Sequence, residues 1–340
     1  MILYLTFFLS LIISVILTPI VRKRAFEMGA LDYPAERRVH SQPTPRIGGV
    51  AFYLAILIVN LLFNRSLMIE KVLLGGTLIF FVGLLDDFIE LKPTPKFWLT
   101  FLAVLIAIFI GIRLETWRVP YTNIIISGWL AYILSFLWLF GLTNAMNFID
   151  GLDGLAAGVS AISSFSLLII SLLLGRTEAV IFLSTMLGGI LGFLFFNFPP
   201  ASIFMGDSGA MFLGFVLSAI SIVGVLKFST LITLLVPILI LGFPILDTLF
   251  SIIRRLAEGR APWKFDKDHI HHRFLRIGMD TKQSIGFIYL INISMSLIAI
   301  ILALSYDIEI SLLVLIGTLS LIIFILAKLE ILEVRRNGKV

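Results

Sequence analysis

The chain has 340 residues, 59% of them hydrophobic and 14% charged, with a mean hydropathy of +1.07. No soluble globular domain needs that much apolar surface, so the composition excludes a water-soluble fold and points to membrane spans. Cysteine is absent, which excludes a disulfide framework and a thiolate site. The net charge of +5 is read as a topology signal and not as a nucleic-acid footprint.

Eleven apolar segments are expected, near 2–21, 48–64, 68–85, 97–112, 124–143, 155–174, 178–196, 209–226, 229–253, 284–305 and 309–327. Each is compared with the roughly 20 apolar residues that a helix needs to cross a bilayer. The first run lacks a small-residue cleavage site and precedes Arg22-Lys23-Arg24, so it is expected to be a retained span. No internal repeat is visible, so there is no inverted-repeat transporter signature. The expected fold is all-α: a polytopic integral membrane protein with a single transmembrane catalytic domain over 1–340. Its cytoplasmic loops lie near 22–47, 86–96, 144–154, 197–208 and 254–283. Those loops and the tail from 328 hold 20 of the 26 Lys and Arg residues, which places them in the cytoplasm, with the N-terminus outside and the C-terminus inside.

The polar motifs fall on that same side. The first loop reads Arg37-Arg38-Val39-His40-Ser41-Gln42-Pro43-Thr44-Pro45-Arg46-Ile47-Gly48-Gly49. Its glycines open a span with backbone N–H groups suited to an anion, and Arg46 beside them suits a phosphate. Arg37 and Arg38 read as a basic contact to anionic lipid. The third span ends in Asp86-Asp87, with Lys96 nine residues beyond Asp87. Adjacent like charges call for a cation or a raised pKa.

The stretch Thr143-Asn144-Ala145-Met146-Asn147-Phe148-Ile149-Asp150-Gly151-Leu152-Asp153-Gly154 packs two amides and two carboxylates between apolar runs. Such carboxylates belong at a membrane surface or in a polar cavity. An oxygen-rich set of this kind suits Mg²⁺, although a polar loop capping two helices would also carry it. Asp207 lies between glycines in Met205-Gly206-Asp207-Ser208-Gly209 and follows Asn197-Phe198-Pro199-Pro200. A cap explains an Asp there, but flanking glycines on both sides favour a ligand site. The last inner loop carries Asp266-Lys267-Asp268-His269-Ile270-His271-His272-Arg273, whose rings and cations suit phosphate. Asp247 is the one acid clearly inside a span and is read as a structural hydrogen-bond partner within the bundle.

The blocks His40 to Gly49, Asp86-Asp87, Asn144 to Gly154, Asn197 to Gly209 and His269 to Arg273, in this order, resemble the polyprenyl-phosphate N-acetylhexosamine-1-phosphate transferases, glycosyltransferase family 4. The His-x-His-His-Arg pattern at 269–273 and the Pro-Arg-x-Gly-Gly pattern at 45–49 look like the undecaprenyl-phosphate N-acetylglucosamine-1-phosphate transferases. Muramoyl enzymes of the family carry Lys four positions after the first paired Asp. This chain has Glu90 there, and a basic residue appears at Lys96 instead.

The resemblance implies an enzyme at the cytoplasmic surface of the bacterial inner membrane, acting in cell-envelope polysaccharide synthesis. Undecaprenyl phosphate would attack a UDP-N-acetylhexosamine and release UMP. It further implies Mg²⁺, with Mn²⁺ as the alternative, held by Asp207 and Asp150. Asp86, Asp87, Asp150, Asp153 and His271 form the implied catalytic set, with Asp86 orienting or deprotonating the lipid phosphate. Arg46, Thr44, Asn144, Asn147, Asn197, His269, His272 and Arg273 form the substrate-binding set, and the amides are expected to read uracil, ribose or sugar. The expected partners are the nucleotide sugar, the lipid phosphate, the bilayer and a second copy in a homodimer. The rivals are a phospho-N-acetylmuramoyl-pentapeptide transferase and, from another class, a polytopic transporter. The transporter would place its carboxylates at mid-span.

Overall fold

The structure is a computed structural model that describes residues 1–33, 43–118, 125–225, 231–257, 259 and 269–304, with 313, 316, 317 and 320. Within them the chain forms α1 (Ile2–Met28), α2 (Gly49–Phe63), α3 (Leu67–Ile89), α4 (Pro93–Phe109), α5 (Trp129–Ile149), α6 (Leu155–Leu173) and α7 (Thr177–Asn197). It continues through α8 (Gly206–Ile220), α9 (Leu231–Ile240), α10 (Gly242–Ala257), α11 (Ile270–Arg276) and α12 (Thr281–Leu304). α8 continues into a π-helical turn (Ser221–Val225), and two antiparallel ribbons complete the described chain: β1 (Leu31–Asp32) pairs with β2 (Thr44–Pro45), and β3 (Thr116–Arg118) with β4 (Ile125–Ser127).

Seven of the described helices are long and apolar enough to cross a membrane, and α2 and α4 are shorter apolar helices. The chain is therefore an all-α, multi-pass membrane protein. The first ten expected segments each coincide with helix, and the differences at their ends have local causes. α3 runs on to Ile89 and carries Asp86 and Asp87 in its last turn. α4 begins at Pro93, a residue suited to a first turn because its missing N–H would have no helical partner anyway. Lys96 consequently lies on α4. α5 reaches Ile149, so Asn144 and Asn147 sit on a helix and not in a loop. The expected span at 229–253 is interrupted at Leu241, four residues after Pro237, which divides it into α9 and α10. The expected span at 309–327 and the calls on Arg37, Arg38, His40, Asp266, Lys267 and Asp268 lie outside the described residues, apart from isolated helical positions.

Helices in lipid gain little from apolar attraction, so close packing rests on small residues. On α1, Thr6, Ser10, Ser14 and Thr18 recur every fourth residue and are fully buried, while Phe8, Ile12 and Ile16 stay exposed as a lipid face. This small-residue stripe meets α7 at Gly188, Gly189 and Gly192; a Cβ on Gly192 would lie 2.6 Å from the carbonyl oxygen of Leu11. Ser208 to Ile220 on α8 are all buried, making α8 the central helix. α2 crosses it where Gly49 meets Gly209, and α3 packs on it through Gly75, Gly76 and Gly83. Tyr53 and Phe80 stack at 3.9 Å beside Phe212, which fills the junction of α2, α3 and α8. The N-terminus of this buried central helix, at Gly206-Asp207, is where the polar residues gather.

Candidate active site

A cavity of about 1160 Å³ opens at one end of the bundle. Its wall takes Thr44 and Arg46 from β2 and the residue after it, Asp86 and Asp87 from the end of α3, and Asp150 and Asp153 from the α5–α6 turn. Asn197, Gly206, Asp207 and His272 also line it. His272 on α11 aside, these residues come from alternate junctions along the chain, α1–α2, α3–α4, α5–α6 and α7–α8, which meet at one end of the bundle.

Asp87 is 4% exposed and fully engaged. It accepts the backbone N–H groups of Asp207 at 2.7 Å and Ser208 at 3.1 Å, and the Ser208 hydroxyl at 2.6 Å. A carboxylate from α3 thus caps α8, satisfying donors that a helix N-terminus leaves open and complementing its dipole. The approach requires Gly83, whose Cβ would lie 2.5 Å from the Ser208 Cα. It also requires Gly206, which adopts a φ of +75° beneath the Arg46 carbonyl.

Asp86 faces the other way. One oxygen accepts the Leu91 N–H at 2.7 Å, and the other pairs with Lys96 Nζ at 3.0 Å. Lys96 also contacts Asp207 Oδ2 and donates to Asn147 Oδ1 at 3.1 Å. Asn147 Nδ2 donates in turn to Asp207 Oδ1 at 2.9 Å. Lys96, which the motif reading set apart from its paired Asp, therefore joins Asp86, Asn147 and Asp207 in one network. Its signal was a single cation in the first turn of an apolar helix.

Asp153 accepts the Ala201 N–H at 2.9 Å. Asn197 accepts from Gly154 N at 3.0 Å and donates to Ile203 O at 2.9 Å. These two side chains tie the α5–α6 turn to the α7–α8 loop, and the Asn197 amide is held by protein at both its oxygen and its nitrogen. Asn144 donates to Phe140 O within its own helix, and neither it nor Asn147 lies in the cavity wall. Gly48 and Gly49 correct an expectation: their N–H groups donate to Phe204 O at 2.9 Å and Met205 O at 2.8 Å, so they are not an anion cradle. The α7–α8 loop completes those hydrogen bonds because a buried backbone donor must be satisfied. Arg46 stands in the wall and pairs with Glu90 at 2.8 Å.

The histidines divide. His272 lines the cavity. His271 is 1% exposed beneath it, with neither ring nitrogen hydrogen-bonded, and its imidazole fills the space that a Cβ on Gly151 would take. Burial, reinforced by His272, pushes its pKa down to about 3, so His271 is neutral at physiological pH. His269 is buried behind it with its Nδ1 on Asp247, and it does not line the cavity. Arg273 likewise lies outside the wall.

Asp150 makes no hydrogen bond through its carboxyl among the described residues. Burial pushes its pKa well up, and the charges of Asp207, Asp87 and Asp153 push in the same direction. Such a carboxyl needs a proton or a cation. Among the described residues no three His, Asp or Glu side chains are gathered closely enough to chelate an ion by themselves. The unpartnered, buried Asp150 carboxyl near the charges of Asp207 and Asp87 fits Mg²⁺ bound through one or two carboxylates with substrate phosphates and water completing its shell. The ammonium group of Lys96 sits among oxygens of Asp86, Asn147 and Asp207 and neutralises part of their charge.

Residues 69–225 match the family model described as "Glycosyl transferase family 4". Over 300 residues the chain is 39% identical to a "probable undecaprenyl-phosphate N-acetylglucosaminyl 1-phosphate transferase" of Bacillus subtilis, covering 87% of this chain and 84% of that one. It is 36% identical over 311 residues to a "decaprenyl-phosphate N-acetylglucosaminephosphotransferase" of Mycolicibacterium smegmatis, covering 82% of this chain and 77% of the other. A "phospho-N-acetylmuramoyl-pentapeptide-transferase" of Halalkalibacterium halodurans is 32% identical over 323 residues, covering 88% of this chain and 97% of its own length.

Proposed function

Because the chain belongs to glycosyl transferase family 4, we propose that it transfers N-acetylglucosamine 1-phosphate from UDP-N-acetylglucosamine to undecaprenyl phosphate. The reaction takes place at the cytoplasmic face of the bacterial inner membrane. An oxygen of the lipid phosphate attacks the sugar-bearing phosphorus, the bond to the bridging oxygen breaks, and UMP leaves. The observation that carries this reading is the convergence of five aspartates from three separate junctions on one cavity of about 1160 Å³ at a membrane-side end of the bundle.

Phosphoryl transfer asks a protein chiefly for positioning and charge stabilisation. Asp86 stands at the end of a span, at the depth of a lipid headgroup, with one oxygen held by Leu91 and the other by Lys96. It orients the lipid phosphate and accepts its proton. Lys96 keeps Asp86 and Asp207 together at a separation that two carboxylates alone would resist. Asp207 and Asp150 would hold Mg²⁺, or Mn²⁺ in its place, and the ion supplies charge neutralisation at the diphosphate. Asp87 holds Asp207 by capping α8, Asn147 sets the Asp207 carboxylate, and His272 and Arg46 face the incoming phosphates from the wall. For Arg46 this means exchanging its exposed Glu90 partner for a phosphate, and surface pairs of that kind hold weakly.

The higher identity to relatives named for N-acetylglucosamine supports that sugar over the pentapeptide donor. The test is UMP release from UDP-N-acetylglucosamine by membranes carrying this protein, supplied with undecaprenyl phosphate and Mg²⁺. UDP-N-acetylmuramoyl-pentapeptide is offered in parallel. Lipid-dependent release from the first donor alone is expected. Release from the pentapeptide donor alone would reassign the substrate, and release from neither would overturn the reaction.

A further inference from the structure

Asp247 lies in α10, the 16-residue helix that follows the break at Leu241, with 0% of its surface exposed. A carboxylate in that setting is costly unless it is paired and hydrogen-bonded. Both of its oxygens are used, and both uses are in another element. Oδ2 lies 2.6 Å from His269 Nδ1, and Oδ1 accepts the Ile270 N–H at 2.7 Å. His269 is the N-cap residue of α11 and Ile270 its first residue, so one buried carboxylate holds the start of that helix through a side chain and through the backbone. His269 faces Phe148, near the end of α5, at 5.9 Å, and its ring runs parallel to that of His271 at 5.8 Å. One turn of α11 then carries His271 against Gly151 and His272 into the cavity wall.

We propose that Asp247 is a positioning residue for the transfer reaction: through His269 it fixes where α11 presents His271 and His272 to the cavity. A carboxylate can only accept, so His269 must carry its hydrogen on Nδ1, and in the neutral ring Nε2 is left as the acceptor. The motif His-x-His-His therefore divides its work. His269 is a buried anchor tied to α10, and His272 is the histidine that reaches the cavity wall. Where turnover is the readout, this rests on the reaction proposed above.

Asp247→Asn separates positioning from packing. It keeps the shape and an acceptor for Ile270 N–H, but it offers His269 an N–H where the carboxylate offered an oxygen, which reverses the tautomer. In the full chain, reconstituted in lipid nanodiscs with ¹⁵N-labelled histidine, His269 should report a protonated Nδ1. Its signal is identified by its loss in His269→Gln. Asp247→Asn should move the ring signals of His271 and His272 and lower turnover roughly 10- to 100-fold. Asp247→Asn and His269→Gln together should be no slower than the slower of the two alone, because both cut one link. A wild-type His269 protonated only on Nε2 would overturn the proposal even if neither variant folds. So would unmoved His271 and His272 signals, turnover within twofold of wild type in Asp247→Asn, or losses that multiply in the double variant. If wild-type membranes release no UMP, the reaction reading fails, and the two NMR readouts still decide the positioning role.

Discussion

Asp86 and Asp87 are adjacent in the sequence and differ in what they touch. Asp87 spends both oxygens on the first N–H groups and a hydroxyl of α8, whereas Asp86 shares its carboxylate with Lys96 at the cavity wall. Adjacent side chains on a helix point about 100° apart, so a paired Asp motif supplies one support and one reactive face. His271 makes a measurable case at the same scale. Its pKa in the native state lies near 3, against 6.5 for an ordinary histidine. Between those values the unfolded chain binds a proton that the native chain does not, so this residue's contribution to stability falls as pH drops below about 6.5. At pH 5 the loss is roughly 2 kcal/mol. Asp150 acts in the opposite sense, since a raised carboxyl binds its proton more readily in the native state. The comparison must therefore be between wild type and His271→Gln. Thermal unfolding in detergent should show the variant losing less stability than wild type between pH 7 and pH 5. An identical pH dependence would mean that the buried ring reaches a proton.

Among the elements, the contact of α3 with the N-terminus of α8 carries most of the site, and it turns on Gly83. A Cβ there would meet backbone, 2.5 Å from the Ser208 Cα and 2.6 Å from the Asp207 carbonyl, and backbone within a buried helix cannot step aside cheaply. Gly83→Ala should cost about 1–3 kcal/mol by overpacking. It should also lower turnover at least tenfold by parting Asp87 from the N–H groups that hold Asp207. Gly141→Ala, with nothing within 4 Å of the new methyl, serves as the matched control and should melt at or slightly above wild type. Equal behaviour of the two variants would refute the close-contact reading.

Helix existence was legible in the sequence because long apolar runs leave few alternatives in a bilayer. The acidic motifs were legible because carboxylates at span ends are costly unless they are used. What stayed hidden were long-range pairings. Nothing in the local pattern says that Lys96 reaches Asp207, that Asn197 is consumed by Gly154 and Ile203, or that Asp247 on α10 meets His269 at the start of α11. Composition registers a donor or an acceptor, and only the packing decides whether protein or substrate uses it.

At the scale of the whole molecule, orientation decides which compartment would supply the nucleotide sugar of the proposed reaction. α3 has 23 residues, about 34 Å at 1.5 Å per residue, enough to cross a hydrocarbon core of about 30 Å. Arg65 precedes its outer end, and Asp86, Asp87 and Lys92 follow in order at its inner end. In the sequence the basic residues concentrate in the loops expected on the same side as the acidic motifs, which the positive-inside rule assigns to the cytoplasm. The proposed reaction would draw its UDP-sugar from that compartment, so the rule and the proposal call for the same orientation. Because the chain has no cysteine, each introduced cysteine is the only thiol in the protein. Arg65 and Lys92 are both exposed and flank α3 on opposite sides. Arg65→Cys should react with a membrane-impermeant maleimide on intact cells whose outer membrane has been opened. Lys92→Cys should react only after the inner membrane is permeabilised. The reverse pattern would turn the cavity outward, and the cytoplasmic pool of nucleotide sugar could then not feed it. Labelling of both from outside would show that α3 does not cross the bilayer at all.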